Sequence, residues 1–220
     1  MKTFTFKEIV PLFFIMWAVI IGVAVFMAPC IPDQIPTHWN AQGQIDGYSS
    51  KPVAVFLLLG ILVALYLLML LLPHLDPLKK NYNEFEKYYY ILRLALTVFF
   101  VALYVFTLLA AAGYKLNIQK FIIPAFSVLL IIMGLVLPKM KRNYFIGIRT
   151  PWTLHSDEVW QKTHKFGGWC FVGAGVFCFF TLWAGEWAFG IFIAIIIIAA
   201  LLPMVYSYLE YKKLGLFKNQ

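Results

Sequence analysis

Apolar positions in this chain fall in long unbroken runs. They show neither the alternation of a half-buried strand nor the narrow stripe of a soluble surface helix. The runs are Ile9–Ala28, Val53–Leu72, Ile91–Ala112, Phe121–Leu137, Gly167–Trp183 and Trp187–Tyr206. A helix needs about 20 residues to cross the hydrocarbon of a bilayer. The pattern therefore predicts six membrane-spanning helices, with the fourth and fifth near the short limit. The expected fold class is an all-α integral membrane protein, a single helical membrane domain over residues 1–220.

Composition agrees with the pattern. The chain is 62% hydrophobic and 13% charged over 220 residues, too apolar for a soluble domain of that length. Lys2 and Lys7 give the first run the outline of a secretory signal. The run is longer than a typical h-region, however, and "APCIP" puts prolines where a cleavage site takes small residues. It is read as a retained helix.

The charges fix an expected orientation. With the N-terminus inside, Lys2, Lys7, Lys79, Lys80, Lys87, Lys139, Lys141, Arg142, Arg149, Lys162, Lys165, Lys212, Lys213 and Lys218 share the inner face. The outer loops hold Lys51, Lys115 and Lys120. By the positive-inside rule both termini are cytoplasmic. The net charge of +8 then reflects basic loops facing anionic membrane lipid and implies no direct nucleic-acid partner. Cys30, Cys170 and Cys178 form no even framework and no CxxC pair, so neither a disulfide scaffold nor a thiolate metal site is indicated.

The spans are almost free of ionisable groups. Arg93, two residues into its run, is expected to snorkel back to the inner surface. Charge in the hydrocarbon normally serves ion or proton pathways, so its scarcity disfavours an ion-coupled transporter. Pro124 and Pro203 can interrupt helices but do not form the paired breaks of a repeat-built carrier. No HExxH motif and no Ser–His pairing lies in a span. His155, Glu158 and His164 do not fit one ligating helix face. No metal, cofactor or catalytic residue is expected.

Two polar segments carry the information. The extracytoplasmic loop, residues 29–52, reads "CIPDQIPTHWNAQGQIDGYSSKP" from Cys30. Pro32 and Pro36 favour extended backbone, and "NAQG" and "DG" are turn sequences around a small hairpin. Ile31, Ile35, Trp39 and Tyr48 are placed at the membrane surface. His38 and Asp46 are the polar pair with chemical potential, but no nucleophile accompanies them. The loop is either a structured cap or a recognition surface.

The cytoplasmic loop, residues 138–166, contains "NYFIGIRTPWTL". Gly147 permits an unusual backbone angle, and Pro151 pushes Thr150 to extended geometry. Ser156 can cap a helix beginning "DEVW". Val159, Trp160, Thr163 and Phe166 predict a short surface helix, tryptophan down, and Gly167–Gly168 is read as the turn into the fifth span. Glu158 and Lys162 can pair across one turn. For Arg149 three roles stand open: a clamp on Asp157 or Glu158, a lipid-phosphate ligand, or a partner contact.

"IPTHWNAQGQIDGYSSK" before a hydrophobic span resembles the N-terminal domain of unknown function found in bacterial SdpI-type membrane proteins. "YFIGIRTPWTL", then "VWQKTHKFGG" and two closing spans, resembles the other half of that family. Nearly the whole chain is covered, in the expected order. The matching positions outside are Pro36, Thr37, His38, Trp39, Asn40, Gly43, Asp46 and Lys51. Inside they are Tyr144, Gly147, Arg149, Thr150, Pro151, Trp152, Thr153, Leu154, Val159 and Trp160. The resemblance implies a multi-pass protein of the bacterial cell membrane that gives immunity to a secreted peptide toxin. It also implies a signalling receptor that holds a cytoplasmic transcriptional repressor at the membrane. Two other classes stay open: a transporter of peptide or lipid, and an inner-surface enzyme using His155, Asp157, Glu158 or His164.

Overall fold

The computed structural model describes residues 17, 18, 22, 29 and 31–219. The first predicted span, Ile9–Ala28, lies outside the described residues apart from isolated positions. The remaining chain runs β1 (Gln34–Trp39), β2 (Ile45–Ser50), α1 (Lys51–Leu75), α2 (Tyr82–Ala111), α3 (Ile118–Val136), α4 (Pro151–His155), α5 (Asp157–Phe180) and α6 (Ala188–Lys213). Among the described residues, five helices are long and apolar enough to cross a membrane, all but the short α4.

The helices are longer than the apolar runs that predicted them. α2 begins at Tyr82, so Arg93 stands about three turns along it. Arg93 is fully buried, with its guanidinium carbon 5.5 Å from the centre of the Tyr90 ring. It does not snorkel to the surface. α5 begins at Asp157 and runs unbroken through Gly167 and Gly168. The predicted surface helix and its turn into the span are one continuous element, and the short helix of that loop is α4, one step earlier. Pro73, Pro124 and Pro203 lie inside continuous helices; membrane helices tolerate them because neighbouring groups take up the freed carbonyls.

The glycine pair serves packing. A Cβ on Gly168 would lie 2.7 Å from the Gly134 carbonyl oxygen, and one on Gly175 would lie 2.6 Å from that of Ser127. α3 and α5 therefore meet backbone to backbone, the approach that small residues permit between membrane helices. α5 and α6 are joined through two short 3-10 turns, Thr181–Trp183 and Gly185–Trp187. Ile123, Leu130, Ala174, Cys178, Ala188, Phe192 and Ala199 form the apolar core of this region.

The chain divides into two compact units, one comprising Met1–Leu67 with Thr97–Gln119, the other Leu68–Leu96 with Lys120–Gln220. In the first, β1 and β2 pair antiparallel, with irregularities on either side of His38. The reversal is at Asn40–Gly43, where Asn40 Oδ1 accepts from the backbone N–H groups of Gln42 (3.0 Å) and Gln44 (2.9 Å) and Gly43 has φ +78°. Asp46–Gly47, read as a turn, lies within β2 instead. Gly47 faces His38, whose Cβ would stand 2.9 Å from an added Cβ. Ile31 and Ile35, expected on the membrane surface, are buried with Ala54, Tyr104, Leu108 and Ala111. Tyr48 is exposed, and Trp39 packs against Phe106 at 6.2 Å between ring centres.

Candidate functional site

The stretch from Asn143 to Thr150 contains no helix or strand, so its backbone polar groups need side-chain partners. Buried side chains supply them. Asn143 Oδ1 accepts from the N–H groups of Phe145 (3.0 Å) and Ile146 (2.7 Å), and its Nδ2 donates to the Lys141 carbonyl at 3.0 Å. Asp76, 2% exposed, holds the other side. One carboxylate oxygen accepts from the Leu78 N–H at 2.7 Å. The other accepts from the Tyr144 N–H at 2.9 Å and the Tyr82 hydroxyl at 3.1 Å. Asn81 adds a third tie, donating to the Arg142 carbonyl at 2.8 Å. Asp76, Asn81 and Asn143 were not singled out in the sequence.

Gly147 forms the second knot. Its φ is +108°, and a Cβ there would sit 2.3 Å from His164 Nε2. That ring is fully buried. Its Nδ1 stands 2.8 Å from the Trp160 carbonyl, and its Nε2 stands 3.1 Å from the Ile148 N. The Ile148 amide must donate, so Nε2 is the bare nitrogen and Nδ1 carries the proton of a neutral ring. Trp160 stacks on it at 3.9 Å and donates its indole N–H to the Met140 carbonyl at 2.9 Å. Trp160, expected to face the membrane surface, is therefore a buried brace for the loop.

Thr150 and Thr153 make the third. They form a reciprocal capping box at the start of α4, with Thr153 Oγ1 also donating toward the Ile148 carbonyl at 2.8 Å. Thr150 Oγ1 lies 3.0 Å from Ser207 Oγ on α6. Trp152 meets Tyr208 edge-on at 5.1 Å, and His155 meets Tyr211 at 5.6 Å. α4 is thus pinned to the end of α6. Ser156 caps α5 as expected, accepting from Val159 N, and Lys162 pairs with Glu158 at 2.9 Å and with Glu210 at 3.2 Å.

The two arginines exchange the roles expected of them. Arg142, read as an ordinary basic flank, is the clamp. Its Nε lies 2.8 Å from Asp157, and Nη1 donates to the Leu154 carbonyl at 2.8 Å. Arg149 touches neither Asp157 nor Glu158; it is exposed and donates to the Tyr144 carbonyl at 2.6 Å. Arg142→Ala is expected to cost about 1–2 kcal/mol, and Arg149→Ala under about 1 kcal/mol. Thermal melting of the two purified variants checks the order; a larger loss for Arg149 would reverse the assignment.

The sequence-marked inner residues thus divide. Gly147, Thr150, Thr153, Val159 and Trp160 face inward and build the loop. Tyr144, Arg149 and Pro151 are exposed, with Trp152 and Leu154 half-buried. The four residues of the enzyme reading do not converge, for His164 is sealed under Gly147, Asp157 is held by Arg142, Glu158 by Lys162, and His155 lies on Tyr211. Among the described residues no group of His, Cys, Asp and Glu is arranged to hold a metal ion.

On the other unit the marked residues lie in and beside the hairpin. His38 Nδ1 and Asp46 Oδ1 are 2.6 Å apart and both open to solvent. Thr37 and Ser49 hydroxyls are 3.0 Å apart. Pro36 is buried opposite Tyr48, and Asn40 and Gly43 make the reversal described above. Lys51 donates to the Ile31 carbonyl at 3.0 Å, tying the loop to the first turn of α1.

A model of the SdpI/YfhL protein family matches residues 139–207, which takes in the motif loop, α4, α5 and most of α6. A model of a domain of unknown function, DUF1648, matches residues 15–63, which takes in the hairpin. The Immunity protein SdpI of Bacillus subtilis (strain 168) is 31% identical over 192 residues, 84% of this chain and 87% of that protein. No solved structure gives a significant match.

Proposed function

The chain belongs to the SdpI/YfhL family of multi-pass cell-membrane proteins, and from that premise we propose that it is an immunity protein protecting its cell from a secreted toxic peptide. The observation that carries the reading is the similarity to an immunity protein along 84% of the chain; both marked motifs fall inside the matched family models. The role is one of binding. Arg142, Arg149 and His164 of the motif loop are spent on holding backbone, which suits a rigid docking surface better than a reaction centre.

The finer reading keeps six spans with both termini cytoplasmic, as the lysine and arginine distribution favours. The hairpin then meets the toxin, offering His38, Asn40, Asp46 and Tyr48 from an exposed ribbon. The exposed Tyr144, Arg149 and Pro151 face the cytoplasm, where a transcriptional repressor can dock on them. A stiff loop with a planar cation and an aromatic ring on its surface is a common anchor arrangement for protein partners.

The test is survival of cells expressing the chain when challenged with peptide toxins made by sibling cells. Wild type is expected to protect. Hairpin substitutions His38→Ala with Asp46→Ala are expected to lower protection at unchanged membrane abundance. Arg149→Ala with Tyr144→Ala is expected to leave protection intact and abolish co-purification of the repressor. Failure to protect against any sibling toxin overturns the immunity reading; protection without repressor capture overturns only the signalling part.

A further inference from the structure

We propose that the groove between the ends of α3 and α5 is a binding site for an anionic phospholipid of the leaflet on the motif-loop side. The groove is a cavity of about 240 Å³ whose lining includes Leu135, Lys139, Lys165, Gly168, Trp169 and Val172. Its floor exists because Gly134 and Gly168 bring the two helix backbones into contact, with Pro138 and Val172 closing against them.

The chemistry is graded along the groove. On α5, Lys165, Gly168, Trp169 and Val172 fall three and four residues apart, so they share one helix face, and Lys165 to Val172 spans about 10 Å. Trp169 is 72% exposed, as an interfacial ring is. α3 presents the same order from the other direction, with Leu135 63% exposed and Lys139 one turn on, in the 3-10 turn that closes the helix. Both elements run from apolar to cationic toward the same end. That is the order of an acyl chain followed by a phosphate.

The two lysines share this one cavity, and neither is neutralised there. Lys141 pairs with Glu84, Arg142 with Asp157, Lys162 with Glu158 and Glu210, and Lys213 with Glu210. Among the described residues neither Lys139 nor Lys165 has an ion-pair or hydrogen-bond partner. Two uncompensated ammonium groups from separate elements thus line one small cavity beside an apolar track. A phosphodiester without an amine of its own complements them; a zwitterionic headgroup brings a third cation against them. Basic pockets between membrane helices on this side are suited to such headgroups. The inference stands apart from the immunity reading, since it needs no toxin.

The experiment is native mass spectrometry of the purified full chain, titrated with phosphatidylglycerol, phosphatidylcholine or inorganic phosphate. Wild type is expected to retain one phosphatidylglycerol selectively. Lys139→Gln with Lys165→Gln is expected to weaken retention, on the order of five-fold per lysine removed. Lys79→Gln with Lys80→Gln removes equal charge from a neighbouring exposed segment and is expected to change nothing. Equal loss in that control pair, equal retention of phosphatidylcholine, or competition by inorganic phosphate alone would each overturn the site.

Discussion

Gly147→Ala is expected to destabilise the protein by about 4 kcal/mol or more, the largest effect of any single methyl group added to the motif loop. Three costs combine. A non-glycine residue at φ +108° is strained by about 1–3 kcal/mol. The new Cβ occupies the position of His164 Nε2, 2.3 Å away, and overpacking of a buried site costs a further 1–3 kcal/mol or so. If the ring moves, the Ile148 N–H loses its acceptor inside the protein, worth about 1–3 kcal/mol. Thermal unfolding in detergent reads the sum, and membrane abundance should fall with it. The cause can be separated from generic damage. In a His164→Ala background the collision vanishes, so adding Gly147→Ala there should cost only the backbone strain. A full 4 kcal/mol loss in both backgrounds would show that His164 is not what Gly147 accommodates.

This pair also shows why the sequence told only part of the story. Gly147 was legible as a glycine needing freedom, but its partner was not. His164 read as a candidate acid, base or ligand, because sequence cannot say that both ring nitrogens are already engaged. The apolar runs after the first located five helices long and apolar enough to span, since hydrocarbon leaves no alternative for twenty apolar residues. Their ends were misjudged because a helix does not stop where the bilayer does. Asp157–Phe166 continues α5 into water with polar residues at every turn, and hydropathy is blind to that. Gly167–Gly168 carries the turn signal of a soluble protein, where glycine most often breaks a helix. Between membrane helices the same residues let backbones touch. In the hairpin, "NAQG" and "DG" had equal claims as turns, and the Asn40 side chain settled the matter by capping two backbone N–H groups.

Asp76→Ala is expected to cost about 3–5 kcal/mol, and for a residue the sequence hides. Nothing near Asp76 marks it, because its role depends on Tyr144, 68 positions away. Its two oxygens satisfy the Leu78 and Tyr144 N–H groups and the Tyr82 hydroxyl, and hydrogen bonds to a charged acceptor contribute roughly 1.5–3 kcal/mol each, less when summed. Asp76→Asn is the sharper variant. An amide has the same shape, but both carboxylate oxygens already accept, so its NH2 group meets a donor in either orientation and it should lose nearly as much as alanine. Tyr82→Phe removes one donor without stranding another and should cost about 1 kcal/mol. The double variant Asp76→Ala with Tyr82→Phe should fall short of the sum of the two singles, because both singles remove the same Tyr82–Asp76 hydrogen bond and only the longer contact to Asn143 Oδ1 is left to the hydroxyl. Melting temperatures of the four proteins decide the matter. An asparagine variant as stable as wild type would mean that the carboxylate charge does not organise the motif loop. Additive losses would mean that Tyr82 and Asp76 act separately. If both expectations hold, the exposed Tyr144, Arg149 and Pro151, proposed above as a docking surface, are held in place by a buried acid on the segment between α1 and α2, and substitutions of that acid should weaken the proposed partner capture without touching an exposed residue.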